Sequence, residues 1–267
     1  MLNQQNAFCQ YYYKDIIVNK QTAGERKILQ QKNIRNILVH SFEADGSASP
    51  GFYCEKKLSK NYLIVETYTR ADIAGKSLLT AVYNTNGLLI SSSDSSEMAA
   101  SNTAYTYTPE GNIESITSYT HSSDDDFKTA LTEQHLYFYN GKAQPVKMLR
   151  VKNGSDTSTI SFTVDDKGNV TDETEADARG RHCYYYYNSG NQLTDVVRYN
   201  FVKKELRPDI SFEYDEEGNV VQMLAVEDGA VTDYYTWKYI YNEGLRIIEK
   251  CFSKEKILLG YVEYEYN

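Results

Sequence analysis

Ser211–Val220 reads SFEYDEEGNV. Phe212 and Tyr214 alternate, which puts two rings on one face of a strand. Asp215 is suited to bond the backbone of a type I turn through Glu216 and Glu217, and Gly218 supplies the positive φ that a following bulge needs. This reading sets Tyr214 across from Val220 on the returning strand.

The same phrase recurs as TAVYNTNGLL (80–89), AYTYTPEGNI (104–113), SFTVDDKGNV (161–170) and YYYYNSGNQL (184–193). Looser copies are HSFEADGSAS (40–49), LYFYNGKAQP (136–145) and KYIYNEGLRI (238–247), and the chain ends on YVEYEYN (261–267). The marker glycines are Gly87, Gly111, Gly141, Gly168, Gly190, Gly218 and Gly244, spaced at roughly the 20–50-residue period of repeat arrays. The turn rule pairs Tyr107 with Ile113, Val164 with Val170 and Tyr83 with Leu89, so independent copies each give an apolar cross-strand pair. Asn140–Gly141 reads as a tighter, two-residue hairpin turn.

Each unit then holds two strands, and short returns between sequential antiparallel strands make an up-and-down meander. Roughly 18 strands at about 4.8 Å each would make a flat sheet near 90 Å wide. Open twisted sheets rarely exceed about ten strands, so an all-β sheet coiled into a large barrel or strongly rolled is expected. Residues 1–39 fit the array least well, and 40–267 carry the repeats. GERKILQQKNIRNIL (24–38) suits a short amphipathic helix with Ile28, Ile34 and Ile37 on one side, or a strand; a strand in its C-terminal half is preferred. No linker divides the chain, so one domain spanning 1–267 is expected.

Composition agrees. The chain has 25 tyrosines, one tryptophan and four prolines, and tyrosine favours half-buried pleated surfaces. The net charge of −9 is spread along the chain, which argues against binding a phosphate backbone; Lys203–Lys204 reads as a solvated strand end. Cys9, Cys54, Cys183 and Cys251 share no CxxC spacing and allow either two disulfides or four thiols. His40, His121, His135 and His182 form no metal-ligand set, because the adjacent His182 and Cys183 point to opposite faces of a strand. No segment is long and apolar enough for a membrane helix, and the N-terminus lacks the basic patch and apolar core of an export signal.

SFEYDEEGNV resembles, position by position, the YD repeat of RHS and teneurin-type proteins; AYTYTPEGNI and SFTVDDKGNV depart at the Tyr or Asp positions. The resemblance covers roughly residues 40–267. It implies a coiled β-sheet, although the chain has no room for the toxin-enclosing shell of RHS proteins and shows no autoprotease core or toxin tail. The chain is also similar to a bacterial envelope domain family of unknown function with a porin-like fold. That similarity implies export to the periplasm or cell surface, and brings no catalytic residues.

Candidate chemistry is sparse. Arg70–Ser77 has the end of a phosphate-loop motif but arginine where its first glycine belongs, and a strand follows. Asp124–Asp126 lack the alternation and glycine of a calcium loop. Asp165–Asp166 and Glu216–Glu217 occupy turn slots. Tyr235, Trp237 and Tyr239 share a strand face that is either core or a platform for stacking on sugar rings. Many strands carry charge on both faces, against a lipid-facing band. The sequence therefore predicts a soluble, non-enzymatic binding or scaffold module of a bacterial envelope, without cofactor or metal, whose partner is an envelope protein or glycan. The alternatives are a carbohydrate-binding protein using Trp237, and a hydrolase with its site in the barrel mouth.

Overall fold

In the computed structural model, the Asp215 carbonyl accepts a hydrogen bond from Gly218 N at 3.2 Å, and Asp215 N donates to the Asn219 carbonyl at 3.0 Å. Gly218 has φ +87°, and Tyr214 pairs with Val220 across a bulge. The bend is thus the turn and bulge expected from SFEYDEEGNV, and its carboxylate also accepts Asn219 N at 2.7 Å. Gly87, Gly111 and Gly168 repeat the positive φ. Tyr83 pairs with Leu89 and Tyr107 with Ile113.

The structure describes residues 11–72, 75–122, 130–176, 181–200, 203–227 and 233–267. They form one helix, α1 (Lys14–Gln31), and eighteen strands. In the first half these are β1 (Asn36–Glu43), β2 (Tyr53–Leu58), β3 (Ile64–Ala71), β4 (Gly75–Tyr83), β5 (Leu89–Ser96) and β6 (Ala99–Tyr107). Next come β7 (Ile113–Ser122), β8 (Ala130–Tyr139), β9 (Pro145–Lys152), β10 (Asp156–Val164), β11 (Val170–Glu175) and β12 (His182–Tyr187). The last six are β13 (Leu193–Asn200), β14 (Glu205–Tyr214), β15 (Val220–Glu227), β16 (Asp233–Asn242), β17 (Leu245–Phe252) and β18 (Leu258–Tyr266). Sequential strands pair antiparallel, and β1 pairs with both β2 and β18. The pairing order is cyclic, the connectivity of an up-and-down barrel. No helix among the described residues is long and apolar enough to cross a membrane.

Contacts group the chain into two compact units. One comprises residues 14–41, 48–160 and 264–267; the other comprises the described residues among 1–13, 42–47 and 161–263. In the first, α1 lies against the sheet face that buries Tyr83, Ile113, Tyr137 and Met148. Asn19 Nδ2 donates to Tyr107 Oη at 2.9 Å, and the Arg26 guanidinium sits 5.0 Å above the Tyr83 ring. The second unit buries Val170, Tyr185, Val196, Ile210, Ala225 and Trp237.

The repeated tyrosine has a use of its own. Its hydroxyl donates to the carbonyl of the first strand residue after the preceding bend. Tyr107 reaches Leu89 at 2.6 Å, Tyr139 reaches Ile113 at 2.8 Å, and Tyr187 reaches Val170 at 2.8 Å. Tyr214 reaches Leu193 at 2.6 Å and Tyr241 reaches Val220 at 3.1 Å. Each phenol therefore staples one hairpin to the next, and burial pushes the pKa of Tyr107, Tyr139, Tyr187 and Tyr214 upward.

Three expectations need correction. Asn140–Gly141 is not a two-residue turn: Asn140 N donates to the Gln144 carbonyl, Ala143 N to the Asn140 carbonyl, and Tyr139 pairs with Pro145. Positive φ falls on Ala143 (+58°), and at the copy marked by Gly190 it falls on Asn191 (+67°). Tight two-residue turns lie instead at Glu243–Gly244, where Asn242 faces Leu245, and at Asn153–Gly154, where Ser155 N donates to the Lys152 carbonyl; all four φ are positive.

The helix also differs. It begins at Lys14, buries Ile16 and Leu29, and leaves Ile28 36% exposed. Asn33 ends it in the left-handed conformation (φ +59°). Asn33 N donates to the Gln30 carbonyl and Ile34 N to the Leu29 carbonyl, a Schellman cap that packs Ile34 near Leu29. The preferred C-terminal strand is β1, which starts only at Asn36.

Ala143→Gly is expected to stabilise the protein. Left-handed backbone costs an L-residue about 1–2 kcal/mol, and the extra freedom glycine gives the unfolded chain offsets about 0.4–1 of that. Urea unfolding should report a gain of about 0.5–1 kcal/mol; a loss would show that Ala143 is unstrained.

Candidate functional site

Charged side chains on a buried face are where chemistry would be sought, because desolvation there perturbs titration. In the first unit such a group centres on His135. β8 places Glu133, His135 and Tyr137 on one face at two-residue spacing, and α1 presents Asp15 in its first turn. His135 Nδ1 lies 2.6 Å from Asp15 Oδ2 and its Nε2 lies 2.8 Å from Glu133 Oε1. Tyr137 Oη donates to Asp15 Oδ2 at 2.8 Å, and Lys152 Nζ stands 3.3 Å from Glu133 Oε2.

Burial is the largest single influence on the imidazole and pulls its pKa down. Hydrogen bonds to Asp15 and Glu133, together with their charges, outweigh it and raise the value to about 9. The bond from His135 is the main reason that Glu133 is lowered to about 2, against the opposing effect of burial. At neutral pH the ring is an imidazolium with both nitrogens donating. It has no lone pair for a general base. The group ties α1 to β8.

In the second unit the buried carboxylate Glu173 takes Tyr12 N at 2.9 and 3.0 Å, Tyr13 N at 2.9 Å and Tyr185 Oη at 2.8 Å. Three donors from two parts of the chain converge on one carboxylate. Arg198 Nη2 donates to Asp209 Oδ1 at 3.0 Å. Arg246 lies 4.3 Å above the Tyr239 ring and 3.7 Å from Glu249 Oε2.

The anticipated aromatic face is real as a face and buried as a surface. Trp237 is 6% and Tyr239 8% exposed, packed with Ala225 and flanked by Met223, Tyr235 and Cys251. The rings of Tyr235 and Trp237 stand 5.9 Å apart, tilted by 57°. Trp237→Ala should therefore lower stability by about 3 kcal/mol through lost burial and a cavity. A denaturation midpoint equal to wild type would show that the indole is not core.

The remaining candidates fall into place singly. Asp165 and Asp215 accept backbone N–H groups in their turns, and the Asn169 and Asn219 side chains lead in holding their pKa values low. Lys203 and Lys204 form the turn before β14. In Arg70–Ser77, β3 gives way to β4, with residues 73–74 outside the described residues. Asp124–Asp126 and Cys9 also lie outside them. Cys54 and Cys251 are free thiols. Cys183 is buried while His182 contacts Asp172, so the two do point apart. No group of three or more metal-ligating side chains occurs among the described residues.

The sequence singled out neither Glu173 nor the His135 group. The one local signal was Glu133-x-His135-x-Tyr137, three polar side chains sharing a strand face.

A second feature lies on the opposite sheet face of the first unit. Tyr53, Glu55 and Lys57 of β2, Glu66 and Tyr68 of β3, and Leu78 of β4 line an open groove of about 460 Å³. Glu55 faces Tyr68, Lys57 faces Glu66, and Tyr68 faces Leu78 across the strands.

The described residues define an all-β antiparallel meander in which buried charges act as ties. No family model matches the chain, and no curated protein does. Solved structures show partial likeness. A porin-like protein from Bacteroides uniformis is 11% identical with a TM-score of 0.39, over 88% of this chain and 98% of that one. A porin-like protein from Bacteroides vulgatus is 11% identical with a TM-score of 0.34, over the same shares. A chain of the TcdB2-TccC3-Cdc42 structure is 12% identical with a TM-score of 0.31; 86% of this chain matches 19% of that one.

Proposed function

We propose that the chain is a non-enzymatic binding or scaffold module of a bacterial cell envelope. The observation that carries this reading is the His135 group: this largely buried ring has both nitrogens committed to carboxylates. Glu173 is likewise filled by backbone and phenol donors. The buried faces hold the fold together, and the outer faces are left to meet a partner.

Those outer faces are mixed, with exposed Ile64, Phe138, Tyr186 and Ile240 interrupted by polar side chains. Glu213, Lys238, Ser161 and Thr163 are exposed strand positions, where a lipid-facing band would be continuously apolar. The resemblance of SFEYDEEGNV to the YD repeat, and of the chain as a whole to an envelope domain family, supports the envelope setting, with a protein or glycan as partner. Stacking on Trp237 is disfavoured by its burial.

The test is to incubate the purified protein with isolated envelope fractions, then measure co-sedimentation and analyse the supernatant for released sugars or peptides. Retention without product release is expected. Time-dependent release that is lost in folded His135→Gln or Glu173→Gln would overturn the proposal.

A further inference from the structure

We propose that the groove on β2, β3 and β4 binds a neutral, hydroxyl-rich ring ligand, a pyranose unit of an oligosaccharide. The proposal rests on the binding-module reading above and gives it a site and a ligand class.

The groove's shape comes from strand alternation. Tyr53, Glu55 and Lys57 project from one face of β2, and Glu66 and Tyr68 from the same face of β3. The rings of Tyr53 and Tyr68 are 6.0 Å apart and tilted by 57°, two apolar walls set at an angle. Tyr53 is 38% and Leu78 39% exposed, so apolar surface is open to solvent here, where a flat ring can cover it.

The polar groups are positioned beforehand. Glu55 Oε2 takes Tyr53 Oη at 2.9 Å and Lys57 Nζ at 2.9 Å. These bonds, with a further one from the Asn36 side chain, fix the carboxylate at the groove wall. The bond from Lys57 is the main cause, and that from Tyr53 the next, of a lowered Glu55 pKa, so it is an acceptor at neutral pH. Exposed Glu66 stands across from Lys57 and adds acceptors at the other end.

Charge selects the class. The groove carries both signs: Glu55 and Glu66 stand with Lys57 in its lining, and Arg70, across from Tyr53, and Lys76, across from Arg70, flank it. Neither a polyanion nor a polycation gains net attraction. Donors, acceptors and ring faces in one groove of mixed charge complement a sugar.

The test uses immobilised neutral glucan and mannan hexasaccharides as probes, with polygalacturonate and hexalysine as charged comparisons. Binding is measured for wild type, Tyr68→Ala, Glu66→Gln and the outer-face control Tyr186→Ala, all verified as folded by thermal melting. Wild type and the control are expected to bind a neutral oligosaccharide, and Tyr68→Ala to weaken it at least tenfold. Equal binding by folded Tyr68→Ala, no binding of the neutral probes, or stronger binding to either charged probe would overturn the inference. Hydrolysis of a bound oligosaccharide would overturn the non-enzymatic reading while leaving the groove assignment standing.

Discussion

Glu173→Ala is expected to lower stability by about 3–6 kcal/mol. The carboxylate is 3% exposed, and its removal leaves Tyr12 N, Tyr13 N and the Tyr185 hydroxyl facing an apolar methyl. Each buried donor left unsatisfied costs about 1–3 kcal/mol. A loss of that size is a large share of the ~5–15 kcal/mol by which domains are stable. Glu173→Gln keeps one acceptor oxygen and should fall between the two. Urea denaturation followed by tyrosine fluorescence measures both. A loss below about 1 kcal/mol for the alanine variant would mean that water satisfies the donors, and that the N-terminal segment is not held by this carboxylate.

His135→Gln should cost about 3 kcal/mol at pH 6, because it removes the cation between Asp15 and Glu133 and leaves two neighbouring, largely buried carboxylates. The cost depends on pH with a defined sign. The imidazole pKa is raised when folded, from 6.5 to about 9. Its contribution is therefore complete below pH 6.5 and is lost as pH rises through 9. Glu133 is lowered from 4.5 to about 2, so its contribution is complete above pH 4.5 and is lost as pH falls through 2. Wild type and His135→Gln should differ most between pH 4.5 and 6.5 and converge toward pH 10. A constant difference across that range would show that the ring contributes packing alone.

The hairpins were legible because their chemistry is local. An Asp or Asn bonding the backbone two to four residues on, then glycine, is written in consecutive letters. Where Ala143, Asn191 and Lys256 take the positive φ instead, the letters mislead. The bend after Phe252, closed by Lys256 N on the Ser253 carbonyl, has no glycine and passed unnoticed. The helix was half legible for another reason. α1 meets the sheet through Asp15, Asn19 and Arg26 as much as through Ile16 and Leu29, so its apolar periodicity is weak. The buried ties were illegible because their partners are far apart in sequence: Glu173 and Tyr12 are separated by 161 residues, Asp15 and His135 by 120.

The pairing of β1 with β18 sets a timetable for folding. Every bend can zip as soon as its few residues leave the ribosome, since loop closure over short spans is cheap. The seam cannot. His40 meets Glu265 across 225 residues, and Asn36 exchanges backbone bonds with Asn267. Until β18 has been made, β1 offers an unsatisfied rim to any passing strand, the circumstance in which nascent β-proteins stick to one another.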